Sequence, residues 1–307
     1  MDRLLASLRA AAEPTRLRLL ALAARGAFCV MEFTEILGQS QPRLSRHLKL
    51  LCECGLLDRV REGANVWFTL PATGDGTLAR ELIARLPNDD PVLEADRRQA
   101  ARVLAERARI ASETFRATGA DWDEMRALDL PAASVEAALL SLVPDADPGR
   151  LLDIGTGTGR VLELLAPRVR QALGVDASKA MLALARARLS RTELVHCSVR
   201  LGDMYRLALA DASFDTVVLQ MVLHYAEDPA GAIAEAARVL RCGGRLLVID
   251  LAGHQRADLT ERLAHRWPGF SDAAMHDLLT GAGLQSGAGL TVPGPLDVRI
   301  WPATRLS

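Results

Sequence analysis

The pattern of apolar and polar positions divides the chain into three blocks. From residue 1 to about 70, short runs carry apolar residues at helical spacing and give way to a hairpin pattern. "EPTRLRLLALAAR" (13–25) predicts a helix with Pro14 in its first turn, where proline is tolerated. "MEFTEILG" predicts a shorter helix stopped by Gly38. "SQPRLSRHLKLLCECG" predicts a third, with Ser40 as N-cap and Gly55 as stop, its Leu44, Leu48 and Leu51 facing a core. "LLDRVREGANVWFTL" reads as two strands around the turn-rich "EGAN".

From about 75 to 147 the pattern is helical almost throughout. Leu93, Val103, Leu104, Ile110 and Phe115 lie along a helix of about 27 residues, roughly 40 Å long. It reads either as a rigid connector to the following domain or as a dimer arm. Trp122 and Met125, further on, suit core packing better than a lid. From about 148 to 307, apolar strands alternate with helices, the pattern of an α/β sheet. The turn-rich stretches "LPATGDG" (70–76) and "VPDADPG" (143–149) suggest boundaries. The expected fold is therefore α/β in overall class. It comprises a winged helix-turn-helix (1–72), a helical connector or dimerisation region (73–147) and a Rossmann-like sheet with helices on both faces (148–307).

Composition adds limits. Half of the 307 residues are hydrophobic, about a quarter are charged and the net charge is −1, so the chain is globular and any nucleic-acid contact rests on local charge. No apolar run approaches the roughly 18 residues of a membrane span. The opening, "MDRLLASLRAAAEPTRLRLL", lacks the apolar core and cleavage site of a signal peptide. Cys29, Cys52, Cys54, Cys197 and Cys242 are odd in number and scattered, which suits a reducing cytoplasm.

Helix, tight turn and helix form the arrangement whose second helix reads DNA. Between Ser40 and Leu51 there is no acid. Gln41, Arg43, Ser45 and Arg46 lie where base edges or phosphates are met, with His47 and Lys49 on neighbouring faces. Arg59 and Arg61 lie on the hairpin arm, suited to backbone or minor groove. A basic helix alone is as readily a solvated face; the hairpin beside it favours DNA. "LRAAAEPTRLRLLALAARG", "SQPRLSRHLKLL" and "GLLDRVREGANVWFTL" resemble the ArsR family of winged-helix repressors over about residues 5–70. That resemblance implies a homodimer on a palindromic double-stranded operator. It departs from the metal-sensing members: where they carry Cys-x-Cys and an acid, this chain has "CVMEF", and one thiolate closes no soft-metal site. Cys52 and Cys54, two apart on a helix, point apart, and no metal is expected.

"RLLDIGTGTGRVLELLA" reads as strand, turn and helix. Gly155, Gly157 and Gly159 permit a sharp turn and close approach to a ligand. Asp176, about twenty residues on at the end of "ALGVD", suits ribose hydroxyls. A dinucleotide turn runs Gly-x-Gly-x-x-Gly before a pyrophosphate. Here the spacing is Gly-x-Gly-x-Gly after Asp153, a carboxylate that repels pyrophosphate but suits an ammonium group. Residues 148–305 resemble class I S-adenosylmethionine-dependent methyltransferases. The resemblance implies that Asp153, Gly155, Thr156, Gly157 and Gly159 surround the methionine portion and that Asp176 takes the ribose. It puts Ala177 and Met181 against the adenine, Gly202 and Asp203 at its amino group, Met204 on its ring and Gln220 near the sulfonium.

Methyl transfer needs an aligned acceptor and sometimes a base. His224 and Tyr225, just past the fourth strand, are the catalytic candidates, though such a pair equally shapes a pocket. Arsenite methylation needs converging thiols, and Cys197 and Cys242 adjoin no cofactor turn. No feature identifies a small-molecule acceptor. Two readings follow: a regulator that binds S-adenosylmethionine or S-adenosylhomocysteine as its signal, or an active methyltransferase whose winged helix autoregulates or dimerises.

Overall fold

A computed structural model describes residues 2–62, 65–71, 75–87, 89–117, 128–143, 149–190, 192–256 and 265–306. The hairpin tip Gly63–Ala64, and Trp122 and Met125, lie outside the described residues, as do the side chains of Ile110 and Phe115. Two compact units divide the chain: Met1–Ile110 with Arg186–Ser198, and Ala111–Ala185 with Val199–Ser307.

In the first unit, α1 (Asp2–Ala11) and α2 (Pro14–Ala23) precede a two-residue strand, β1 (Phe28–Cys29). Then come α3 (Val30–Leu37), α4 (Gln41–Glu53) and the hairpin of β2 (Asp58–Glu62) and β3 (Asn65–Thr69). The expected punctuation is in place. Pro14 opens α2, with the Glu13 carboxylate accepting the Arg16 N–H at 2.9 Å. Gly38 caps α3 at φ 65°, the left-handed conformation that glycine adopts without a Cβ clash. The three-stranded sheet runs β1-β3-β2, antiparallel, pairing Cys29 with Trp67 and Val60 with Trp67 from either side.

Leu44, Leu48 and Leu51 of α4 are buried against Leu19, Leu20, Phe28 and Phe33. The same core takes Ala79 of α5 (Asp75–Ala84) and Ala100, Val103 and Leu104 of the long helix α6 (Pro91–Ala117). The length of α6 matches expectation. Its first half packs on the winged helix that precedes it. Arg18 grips Asp96 through two bonds of 2.6 and 2.7 Å. Arg107 donates to Glu32 and to the Ala27 carbonyl, with its guanidinium 4.7 Å from the Trp67 ring. Residues 73–147 are thus shared between the two units.

In the second unit the sheet order is β10-β11-β8-β7-β4-β5-β6, with β9 (Leu284–Ser286) beside β11. Its strands are β4 (Arg150–Ile154), β5 (Gln171–Asp176), β6 (Cys197–Leu201), β7 (Phe214–Gln220), β8 (Leu240–Leu251), β10 (Leu290–Val292) and β11 (Val298–Arg305). β4 pairs in parallel with β5 and β7, and β7 with β8, while β11 is antiparallel to β8 and β10. Leu152, Ile154, Val217, Leu219, Leu246 and Val248 pack on helices Pro229–Val239 and Asp272–Gly281. Leu151, Val218 and Leu247 alternate with them and are equally buried, as strands covered on both faces require. The chain winds away from β4 in both directions, so the end of β4 is where such sheets bind ligands. Among the described residues no helix is long and apolar enough to cross a membrane.

Candidate functional site

The turn after β4 is built by backbone. Gly155, Gly157 and Gly159 have φ of 73°, 51° and 77°, a region side chains disfavour. A Cβ on Gly155 would lie 2.4 Å from Val222 Cγ2, so no larger residue fits. The Gly155 and Thr156 amides donate to the Val175 carbonyl at 2.8 and 3.0 Å, tying the turn to β5. Thr156 lies over Gly174, and its hydroxyl donates to Asp153 Oδ2 at 2.6 Å. Gly159 then starts a short helix, Arg160–Leu165.

Two carboxylates flank this turn in different states. Asp176, at the end of β5, accepts the Gly157 N–H and the Ser178 N–H, each at 2.8 Å. Burial raises its pKa, and those two N–H groups pull against the rise. Asp153 is 1% exposed, and its Oδ1 has no hydrogen-bond partner among the described residues. Burial pushes its carboxyl up to about 7, despite the bond from Thr156. A buried acceptor left open beside a glycine cradle fits a ligand with a polar, cationic end.

Of the other expected cofactor residues, Gly202 is tied directly to this turn. The Gly202 amide donates to the Asp176 carbonyl at 3.0 Å, bringing the end of β6 beside the end of β5. Asp203 is exposed and accepts the Tyr205 amide at 3.0 Å; Met204 packs on the sheet core. Met181, on helix Lys179–Arg188, is buried, and Ala177 is exposed. Gln220 ends β7, and Met221 after it has φ 52°, a strained conformation for a side-chain-bearing residue.

His224 and Tyr225 lie in a 3₁₀ turn, Leu223–Tyr225, just beyond. His224 is fully buried, with Nδ1 2.6 Å from Asp250 Oδ1. Asp250 also accepts the Leu223, His224 and Leu251 amides at 3.0, 3.3 and 2.8 Å. Half-buried Tyr225 and buried His265 stack about His224, with ring centroids 4.2 and 4.4 Å away. Sequence reasoning missed Asp250. Its signal was an acid closing the apolar run "LLVID", the feature that singled out Asp153 and Asp176.

In the winged helix, Ser40, Gln41, Arg43, Ser45, Arg46 and Lys49 are exposed, opposite the buried leucines. Lys49 Nζ is 3.7 Å from Glu53; His47 is half-buried, its Nδ1 3.9 Å from Glu13. Arg59 and Arg61, alternate residues of β2, are exposed. The thiols are separate: burial raises Cys29 and pushes Cys52 up to about 11. No group of three or more His, Cys, Asp or Glu among the described residues can hold a metal.

Comparisons with known proteins agree on both units. Residues 13–59 match the model of the bacterial regulatory protein arsR family, and residues 152–248 match a methyltransferase domain. The chain joins an ArsR-type helix-turn-helix to a methyltransferase domain. Over 121 residues (38% of this chain, 34% of the relative) it is 41% identical to an uncharacterised 37.1 kDa protein of transposon TN4556 from Streptomyces fradiae. It is 33% identical to the demethylmenaquinone methyltransferase of Thermotoga maritima, covering 37% of this chain and 48% of that one. These matches span less than half of each relative's length. The solved YcgJ of Bacillus subtilis is similar in fold, with TM-score 0.50 and 19% identity over 57% of this chain and 99% of that one. A methyltransferase-like protein of Bacillus halodurans is similar too, with TM-score 0.52 and 18% identity, covering 57% and 100%. The methyltransferase domain thus has the class I sheet that the sequence resemblance implied, and α4 is the second helix of the ArsR-type helix-turn-helix.

Proposed function

We propose that this ArsR-type chain is a DNA-binding transcriptional regulator whose methyltransferase-like domain binds S-adenosylmethionine or S-adenosylhomocysteine as a regulatory ligand. The observation that carries it is a basic helix face, with Arg43 and Arg46 exposed, in the same chain as a preformed glycine cradle between Asp153 and Asp176. Asp176 holds the ribose, Asp153 and the turn hold the amino-acid end, and Met181, Gly202, Asp203 and Met204 form the adenine side. The reader face works as a homodimer on a palindromic operator. A ligand shifts operator affinity only as far as it prefers one shape of the dimer, about 1.4 kcal/mol for tenfold. The test is operator affinity with and without each ligand. A shift of tenfold or so is expected in the parent protein and none in Asp176→Ala, which keeps its ligand-free affinity. Unchanged affinity with both ligands defeats the sensor reading.

The buried His224–Asp250 pair favours a second reading, an active small-molecule methyltransferase. Bound S-adenosylmethionine would supply an activated methyl group. Asp250 would fix the His224 ring, His224 would receive the acceptor's proton, and the Tyr225 hydroxyl would help to orient the acceptor. Turnover across a metabolite panel, abolished by His224→Ala or Tyr225→Phe, is the expected result; its absence counts against this reading.

A further inference from the structure

The opposite end of the sheet carries a second polar site. β4 and β7 begin there, at Arg150 and Phe214, while the cofactor turn lies past the other end of β4, about 13 Å away at strand spacing. β8 is irregular at this end. Phe214 pairs with Leu240 and Thr216 with Arg245, so two steps along β7 match five along β8. The extra residues form a bulge through Gly243, at φ 74°. Bulges re-aim side chains, and this one turns Arg241 and Arg245 onto a common cavity.

That cavity, about 160 Å³, is lined by Arg150, Asp215, Arg241, Cys242 and Arg245. Three guanidinium groups thus meet one carboxylate among its described charged residues. Asp215 is already engaged, accepting the Arg150 amide at 2.6 Å and pairing with Arg241. Arg245 donates to the Leu142 carbonyl at 2.8 Å. The Arg150 guanidinium lies over the Phe214 ring at 4.9 Å, and its Nε is buried without an acceptor among the described residues. A buried donor of a charged group without an acceptor is costly, and such donors normally find one. The volume equals about five waters, against roughly 300 Å³ or more for a drug-sized ligand, which excludes a nucleotide.

We propose that this cavity binds a small oxyanion, a phosphate or carboxylate group. Arg150 and Arg241 supply the charge-assisted bonds. The site is separate from the cofactor turn and stands whether or not the regulatory reading holds.

Exposed Cys242 on its rim is a local reporter, which matters because the reader helix also attracts anions. The full-length protein would be treated with iodoacetamide, and the modification rate of each cysteine followed by peptide mass spectrometry. The arms are inorganic phosphate, succinate and chloride at equal ionic strength. Phosphate or succinate should slow Cys242 severalfold and saturably while Cys52 and Cys54 keep their rates; which of the two acts at lower concentration identifies the source. Arg241→Gln, at an exposed position, should raise the protecting concentration about tenfold, and Arg150→Met should do likewise. If Arg150→Met does not fold, Arg241→Gln decides. Protection no greater than with chloride, or protection that survives Arg241→Gln, overturns the site.

Discussion

The basic face of α4 and the glycine turn after β4 differ in where their polar groups stand, one set in solvent and the other drawn into the interior. On α4 the basic side chains are exposed, and the leucines beneath them hold the helix in place. In the glycine turn the polar groups are backbone amides, buried Asp153 and half-buried Asp176, so a ligand there would meet the atoms that build the scaffold. A surface meant for a large charged partner can keep its cations solvated until contact. A site meant for a small ligand must be organised beforehand, since each disordered group would cost affinity. Damage should therefore separate cleanly in the first region, stability from binding, and not in the second.

The largest expected effect tests the first half of that statement. Leu48→Ala removes a fully buried side chain under α4 and should destabilise the first unit by about 2–5 kcal/mol. Denaturant melts should show the loss, while the exposed cations stay unchanged. A loss under 1 kcal/mol would mean that α4 is not held by its leucines in the way described.

Asp153 tests the second half, through pH. Its carboxyl lies at about 7, above its ordinary 3.8. Between those values the native state keeps a proton that the unfolded chain has released. Stability from this group therefore falls as pH rises through that window and is lowest above about 7. Asp153→Asn should flatten the decline, an effect on the order of a few kcal/mol between about pH 5 and pH 8 in ligand-free protein. Equal slopes in the two proteins would place the proton elsewhere.

The same contrast explains what could be read from the chain alone. α2, α3 and α4 were legible because Pro14, Gly38 and Gly55 punctuate a strong leucine period. The glycine turn after β4 was legible because its glycine spacing and preceding acid are local. The packing of α6 was not, since a stripe of Ala100, Val103 and Leu104 looks the same whichever surface covers it. The pairs that decide it, Arg18 with Asp96 and Arg107 with Glu32, span 78 and 75 residues. Asp250 was visible as an acid at a strand end, but its partner His224 is 26 residues away. The antiparallel β11 and the bulge in β8 likewise arise from pairing, which no local pattern specifies.

The smallest expected effects divide the exposed basic face, on the proposal that it binds DNA. Arg46 lies on α4, where a side chain would reach base edges, and Arg59 lies on the hairpin arm, where it would reach phosphate. Arg46→Ala should cost about 1–3 kcal/mol on the operator and relax discrimination at one base pair. Arg59→Ala should weaken operator and unrelated DNA alike, and flatten the dependence of log affinity on log salt by about 0.9. Both are read from binding isotherms across a salt series on the two DNAs. Because both arginines are exposed, neither change should move the melting transition. A stability loss comparable to that of Leu48→Ala would show that the face carries structural weight. The contrast with the cofactor turn would then fail at its solvent-facing end.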